Sequence, residues 1–139
     1  MPTVQTTYLG ELRTESKHLQ SGSILITDAP TDNQGKGEAF SPTDLVATAL
    51  GTCLLTTIAI FARRDGIESA GSNAEVTKIM STEAPRRIAR IIVNISMKTA
   101  APISDEEKIK LEKIGHSCPV ALSLHPNVVQ EINYQWDLQ

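Results

Sequence analysis

The spacing of apolar positions changes character along this chain, and each change predicts an element. Residues 4–9, 12–19 and 23–27 form short runs bounded by Gly10 and Ser21-Gly22, the pattern of a strand meander joined by hairpins. Residues 28–38 are rich in turn formers, with Pro30, Asp32-Asn33, Gly35 and Gly37, and lead to a helix start. There Ser41 offers an N-cap, Pro42 fits the first helical position and Asp44 stands three residues beyond the cap. Leu45, Val46, Ala49, Leu50, Cys53, Leu54, Thr57, Ile58 and Phe61 then recur at helical spacing until Arg63-Arg64 and Gly66. This helix is apolar almost all round, which predicts a central position, and Ala47, Ala49, Gly51 and Ala59 would admit a close neighbour.

Past the helix the period returns to two. Residues 74–81 read as a strand, and 89–98 as another with Ile91, Val93, Ile95 and Met97 on one face. Ser104-Asp105-Glu106-Glu107 is a capping box for a second helix carrying Ile109 and Ile114 and stopping at Gly115. Ser117 is the expected cap of a third, short helix ending near His125-Pro126. A closing strand alternates Ile132, Tyr134, Trp136 and Leu138 with polar residues. The order predicts an α+β fold in one domain, residues 1–139, with antiparallel sheet wrapped on a buried helix. So apolar a helix is hard to cover within 139 residues, which points to a homodimer.

Composition narrows the function classes. The net charge of −3 and the lack of a basic cluster larger than an Arg pair disfavour nucleic acid. The N-terminus lacks a signal-peptide pattern and no stretch is expected to span a membrane, so the expectation is a cytoplasmic protein. In that compartment thiols are kept reduced, and a cysteine pair is more often catalytic than structural.

The chain has two cysteines. Cys118, expected in the first turn of a capped helix, should have its thiolate favoured by the helix dipole. Cys53 lies several turns into its helix, where the plain alternative is a buried apolar residue. His18, His116 and His125 show no zinc-motif spacing, so no metal is expected. No nucleophile elbow, dinucleotide fingerprint or P-loop occurs, and Gly35-Lys36-Gly37 reads as a turn rather than a phosphate cradle. Arg13, between Glu11 and Glu15, has a solvated strand residue as its default reading.

Two frames, read together, carry a resemblance. Ser41-Pro42-Thr43-Asp44-Leu45 leading to Gly51-Thr52-Cys53, with His116-Ser117-Cys118-Pro119-Val120 about sixty-five residues later, resembles the OsmC/Ohr family of thiol peroxidases, in a divergent OsmC-like branch. The likeness spans nearly the whole chain. It implies an intertwined homodimer with sheets around long central helices and active sites at the subunit interface. It also implies reduction of organic hydroperoxides without metal, flavin or other cofactor, as an antioxidant defence. Cys53 matches the family's peroxidatic cysteine, Cys118 its resolving cysteine, and Arg13 its catalytic arginine. The family's hydroperoxidases carry a Glu directly after the helix-starting proline, which orients that arginine; here Thr43 stands there. Asp44, one residue on, points about 100° away around the helix, and Glu38 in the preceding loop is another substitute.

The mechanism so implied begins with a Cys53 thiolate held by Arg13, which attacks a small organic hydroperoxide. The resulting sulfenic acid condenses with Cys118 to a Cys53–Cys118 disulfide, which an external dithiol reduces. A second reading is a non-catalytic member of the same fold that binds a small apolar ligand or senses oxidation, for which Thr43 is the main support. A third is a structural dimer whose cysteines never meet.

Overall fold

The three N-terminal segments pair with one another as an antiparallel meander, β1 (Val4–Gly10), β2 (Arg13–His18) and β3 (Ile24–Asp28), in that order across the sheet. The structure, a computed structural model, describes residues 1–137, which group into a unit Met1–Val46 and a second unit beginning at Ala47. In the first, β2 is shorter than the spacing predicts because Glu11 and Leu12, at φ 55° and 61°, form a tight turn. The loop after β3 folds back on it: the Asp28 N–H donates to the Phe40 carbonyl at 3.0 Å and the Ala29 N–H to the Leu12 carbonyl at 3.0 Å. Gly35 is required in this loop, since a Cβ there would lie 1.7 Å from the Ala29 carbonyl oxygen. Helix α1 (Pro42–Arg64) opens with the expected reciprocal cap. The Asp44 N–H donates to Ser41 Oγ at 3.1 Å and the Ser41 N–H to Asp44 Oδ2 at 3.0 Å.

The second unit is built on the apolar core. Leu50, Leu54, Ile58 and Ala62 of α1 are buried with Ile91, Val93, Ile95 and Met97, the face of β5 (Ile88–Met97) that alternation marked. β5 pairs antiparallel with β4 (Asn73–Met80), and a Cβ on Gly51 would come within 2.7 Å of Val76 Cγ2, so a glycine lets the helix lie close on the sheet. One ladder departs from the expected antiparallel sheet. β6 (Val129–Trp136) runs parallel to β5, because the chain returns through the crossover formed by α2 (Asp105–Gly115) and α3 (Pro119–Ser123). The Ser104–Glu107 capping box is present at α2, but the helix buries Leu111 and Gly115, while Ile109 is on the outer side. Leu138, expected in the last strand, lies outside the described residues. By length and composition α1 would also suit a membrane span, yet its apolar face supplies this core.

Candidate functional site

The thiols meet at the end of the α2–α3 crossover. Cys118 is fully buried and belongs to the core cluster, against which Cys53 of α1 packs half-buried. Its position differs from the expected one: Cys118 itself, not Ser117, is the N-cap of α3, with an extended backbone at φ −66° and ψ 147°. Pro119 explains this, because the residue before a proline is pushed out of the helical region. The Cys118 sulfur accepts the Ala121 N–H at 3.4 Å, and the Cys118 N–H donates to the Gly115 carbonyl at 3.1 Å. Ser117 turns back, its hydroxyl donating to the Ile114 carbonyl at 2.9 Å.

The electrostatics correct the expectation of a dipole-stabilised Cys118 thiolate. Burial pushes the Cys118 thiol above its ordinary value; the Ala121 N–H opposes this, while Cys53, as hydrogen-bond partner and as charge, adds to it. A five-residue helix offers little dipole against that desolvation. Cys53 is thus a side-chain hydrogen-bond partner of Cys118, and two free thiols far apart in sequence are neighbours. Cys53 Sγ also lies 3.9 Å from Thr57 Oγ1, one turn on.

Tyr134 of β6 completes the surroundings. Burial first, then the charges of Glu112 and Cys118, push its phenol up to about 12. Its hydroxyl donates to the Glu112 carbonyl at 3.3 Å, and Trp136 Nε1 donates to the Glu112 carboxylate at 2.9 Å. Gly115 makes room, since a Cβ would stand 2.6 Å from the Tyr134 hydroxyl and 3.1 Å from Ile58. His116, in the turn between α2 and Cys118, meets the Tyr134 ring edge-on with centroids 6.0 Å apart.

In the first unit a second cluster forms around Arg13. Its Nε donates to Asp28 Oδ1 at 2.7 Å and its Nη2 to Asp28 Oδ2 at 2.8 Å, a bidentate pair between directly opposed residues of β2 and β3. Asp28 is buried and also accepts the Glu38 N–H at 3.1 Å. The guanidinium draws the Asp28 carboxyl below its ordinary value against the cost of burial, helped by the Glu38 N–H and the Lys36 charge. The same pairing raises Arg13 further. Of the two carboxylates named as arginine partners, Glu38 approaches Nη2 at 3.6 Å with an exposed side chain, while Asp44 serves the helix cap. Asp28 was missed because it reads as the first residue of a turn-rich loop; the hairpin register that pairs it with Arg13 is the signal that finds it. Among the described residues no group of three His, Cys, Asp or Glu side chains could hold a metal ion.

The sequence model of the family described as OsmC-like protein matches residues 35–133. The structure is similar to that of an osmotic stress induced and detoxification response protein from Psychrobacter arcticus 273-4. The two share 47% identity and a TM-score of 0.91, over 97% of this chain and 96% of that one. More distant is an organic hydroperoxide resistance protein from Legionella pneumophila, described as a predicted redox protein, at 16% identity and TM-score 0.71, over 97% and 98% of the two chains. An organic hydroperoxide resistance protein from Vibrio cholerae with captopril in one active site shares 18% identity and a TM-score of 0.70, over 96% and 92%. None of the curated proteins matches.

Proposed function

Because the chain belongs to the OsmC-like protein family, we propose that it is a thiol-dependent peroxidase that reduces organic hydroperoxides through Cys53 and Cys118. The observation that supports this reading is the pair of free thiols, a half-buried Cys53 packed beside a fully buried Cys118 whose thiol burial pushes up. A thiol pushed up by burial is a poor first nucleophile, so first attack falls to Cys53.

The Cys53 thiolate attacks the distal oxygen of the hydroperoxide, the O–O bond breaks, and the alkoxide leaves and takes a proton to become an alcohol. Cys53 is now a sulfenic acid. The Cys118 sulfur attacks the Cys53 sulfur, its proton leaves with the hydroxide as water, and a Cys53–Cys118 disulfide remains. An external dithiol reduces this disulfide by exchange and is itself oxidised. Arg13 is the cation that the family pattern assigns to the thiolate and the reacting oxygens. The protein so described works as a homodimer in the cytoplasm.

The test is turnover of cumene hydroperoxide with a dithiol, followed by mass spectrometry. Wild type should consume the peroxide and form the intramolecular disulfide after one equivalent. Cys53→Ser should abolish both, and Cys118→Ser should stall at a trappable Cys53 sulfenate. Equal slow consumption by wild type and Cys53→Ser would sink the enzyme reading. In that case the Thr43 departure would favour the alternative of a ligand-binding or redox-sensing protein.

A further inference from the structure

We propose that Asp28 is the positioning residue for Arg13, gripping one edge of the guanidinium so that its other edge is held ready for the reacting oxygen. This rests on the reading of Arg13 as the arginine of the peroxidase site. The family pattern would place the orienting carboxylate at the start of α1, where this chain has Thr43, and the obvious replacements were Asp44 and Glu38. Geometry favours neither. Asp44 accepts the Ser41 N–H in the helix cap, and Glu38 reaches Arg13 only at 3.6 Å from a side chain that is 66% exposed.

Asp28 has what an orienting group needs. Both of its oxygens engage Arg13, at 2.7 and 2.8 Å, and two parallel N–H donors fix the plane of the guanidinium as well as its place. The anchor is itself anchored: its side chain is fully covered, the Glu38 N–H donates to Oδ2, and the strand register sets it opposite Arg13. The turn at Glu11-Leu12 and the loop closed by Gly35 against Ala29 hold the two backbones in that register. The fork consumes Nε and Nη2, leaving the Nη1 edge on a side chain that is still 31% exposed.

The same contacts say how Arg13 acts. Its charge is already balanced by Asp28 and offset further by Glu38. It therefore contributes chiefly through directed N–H donors at short range rather than through a long-range positive field. The orientation set by Asp28 is then what matters, and a guanidinium freed from its anchor would keep its charge and lose its effect.

The experiment compares Asp28→Asn, Asp28→Glu and Glu38→Gln in the full chain. Asp28→Asn cannot receive both donors, so the rate constant of Cys53 with cumene hydroperoxide should fall by about 10- to 100-fold, the scale of a misplaced positioning group. Alkylation of Cys53 by neutral iodoacetamide should change by less than about twofold, which separates positioning from general disruption of the thiol. Modification of Arg13 by phenylglyoxal, read by peptide mass spectrometry, should speed up by about fivefold or more once the fork is lost. Asp28→Glu should recover part of the peroxide rate, and Glu38→Gln should stay within about threefold of wild type. An Asp28→Asn protein with wild-type peroxide and phenylglyoxal rates overturns the proposal, as does a larger loss in Glu38→Gln. If wild type itself is inert to the peroxide, the peroxidase reading fails and the phenylglyoxal rates alone decide whether Asp28 holds Arg13. If Asp28→Asn does not fold, the Arg13 Nε–H resonance of wild type decides: a persistent, slowly exchanging signal at neutral pH supports the fork, and a fast-exchanging one overturns it.

Discussion

Arg13 stands on a three-stranded sheet whose first strand is exposed along nearly its whole length, whereas Cys118 is sealed in the core cluster with Leu50, Leu54 and Ile58. Each is held in place, and the means differ. The arginine stays partly exposed and is fixed by two charge-assisted hydrogen bonds across a strand pair. The cysteine is fixed by packing and by backbone hydrogen bonds, at the cost of a thiol that is harder to ionise. A guanidinium forked to a carboxylate keeps its place at a partly wet surface, whereas a thiol held by packing is desolvated and keeps its proton more tightly.

The sharpest way to break this contrast is to cut the packing side. Leu54 is fully buried in α1, and Leu54→Ala should cost about 2–5 kcal/mol in urea unfolding. The same variant should leave the phenylglyoxal reactivity of Arg13 near wild type, because none of the bonds that hold Arg13 involves Leu54. Equal damage to both readouts would mean that the arginine also depends on the core.

A smaller cut falls next to the thiol. Gly115→Ala drives a Cβ into the Tyr134 hydroxyl and Ile58, so about 1–3 kcal/mol of stability should be lost. The Gly115 carbonyl receives the Cys118 N–H, so the displaced turn should also slow formation of the Cys53–Cys118 disulfide after peroxide. Thermal unfolding and timed mass spectrometry measure the two effects. A stable variant that closes the disulfide at the wild-type rate would show that the turn tolerates the shift.

The sequence carried much of this, but unevenly. Helix α1 and its cap were legible because Ser41, Pro42 and Asp44 act locally and the apolar repeat is long. The face of β5 was legible because strict alternation leaves one side buried. The cap of α3 was misread at Ser117, although Pro119 already disfavours a helical conformation at Cys118. The parallel pairing of β6 was invisible, since alternation gives a strand's faces and not its direction. Asp28 was hidden for a related reason: its partner is set by register across a hairpin, and nothing local distinguishes it from a turn aspartate. The raised Cys118 thiol depends on burial in three dimensions, which a dipole argument made from one helix cannot supply.

The two regions should also respond to pH in opposite directions. Cys118 and Tyr134 hold their protons more tightly when folded. Their contribution is therefore complete below their unfolded values and is lost as pH rises through the folded ones, for Tyr134 between 10.0 and about 12. Asp28 holds its proton less tightly when folded, so its contribution is present above its ordinary value of 3.8 and is lost as pH falls through the lowered one. Urea midpoints across pH should show both limbs. Tyr134→Phe and Cys118→Ser should flatten the alkaline limb alone, and Asp28→Asn the acid limb alone. A variant that flattens the wrong limb would break the assignment.

The smallest effect tests the arginine side without touching its charges. Leu12 adopts φ 61°, a left-handed backbone that costs a residue with a Cβ about 1–2 kcal/mol. Its side chain is 44% exposed, and the contacts that hold the turn come from its backbone, with the N–H donating to the Tyr8 hydroxyl and the carbonyl receiving the Ala29 N–H. Leu12→Gly keeps those bonds and removes the strain, while the freer unfolded chain takes back about 0.4–1 kcal/mol. The net should be a gain of about 0.5 kcal/mol, read as a higher urea midpoint, with the Arg13–Asp28 fork and hence the phenylglyoxal rate unchanged. A loss of stability would mean that the Leu12 side chain, and not only the turn's backbone, keeps Arg13 in register with Asp28.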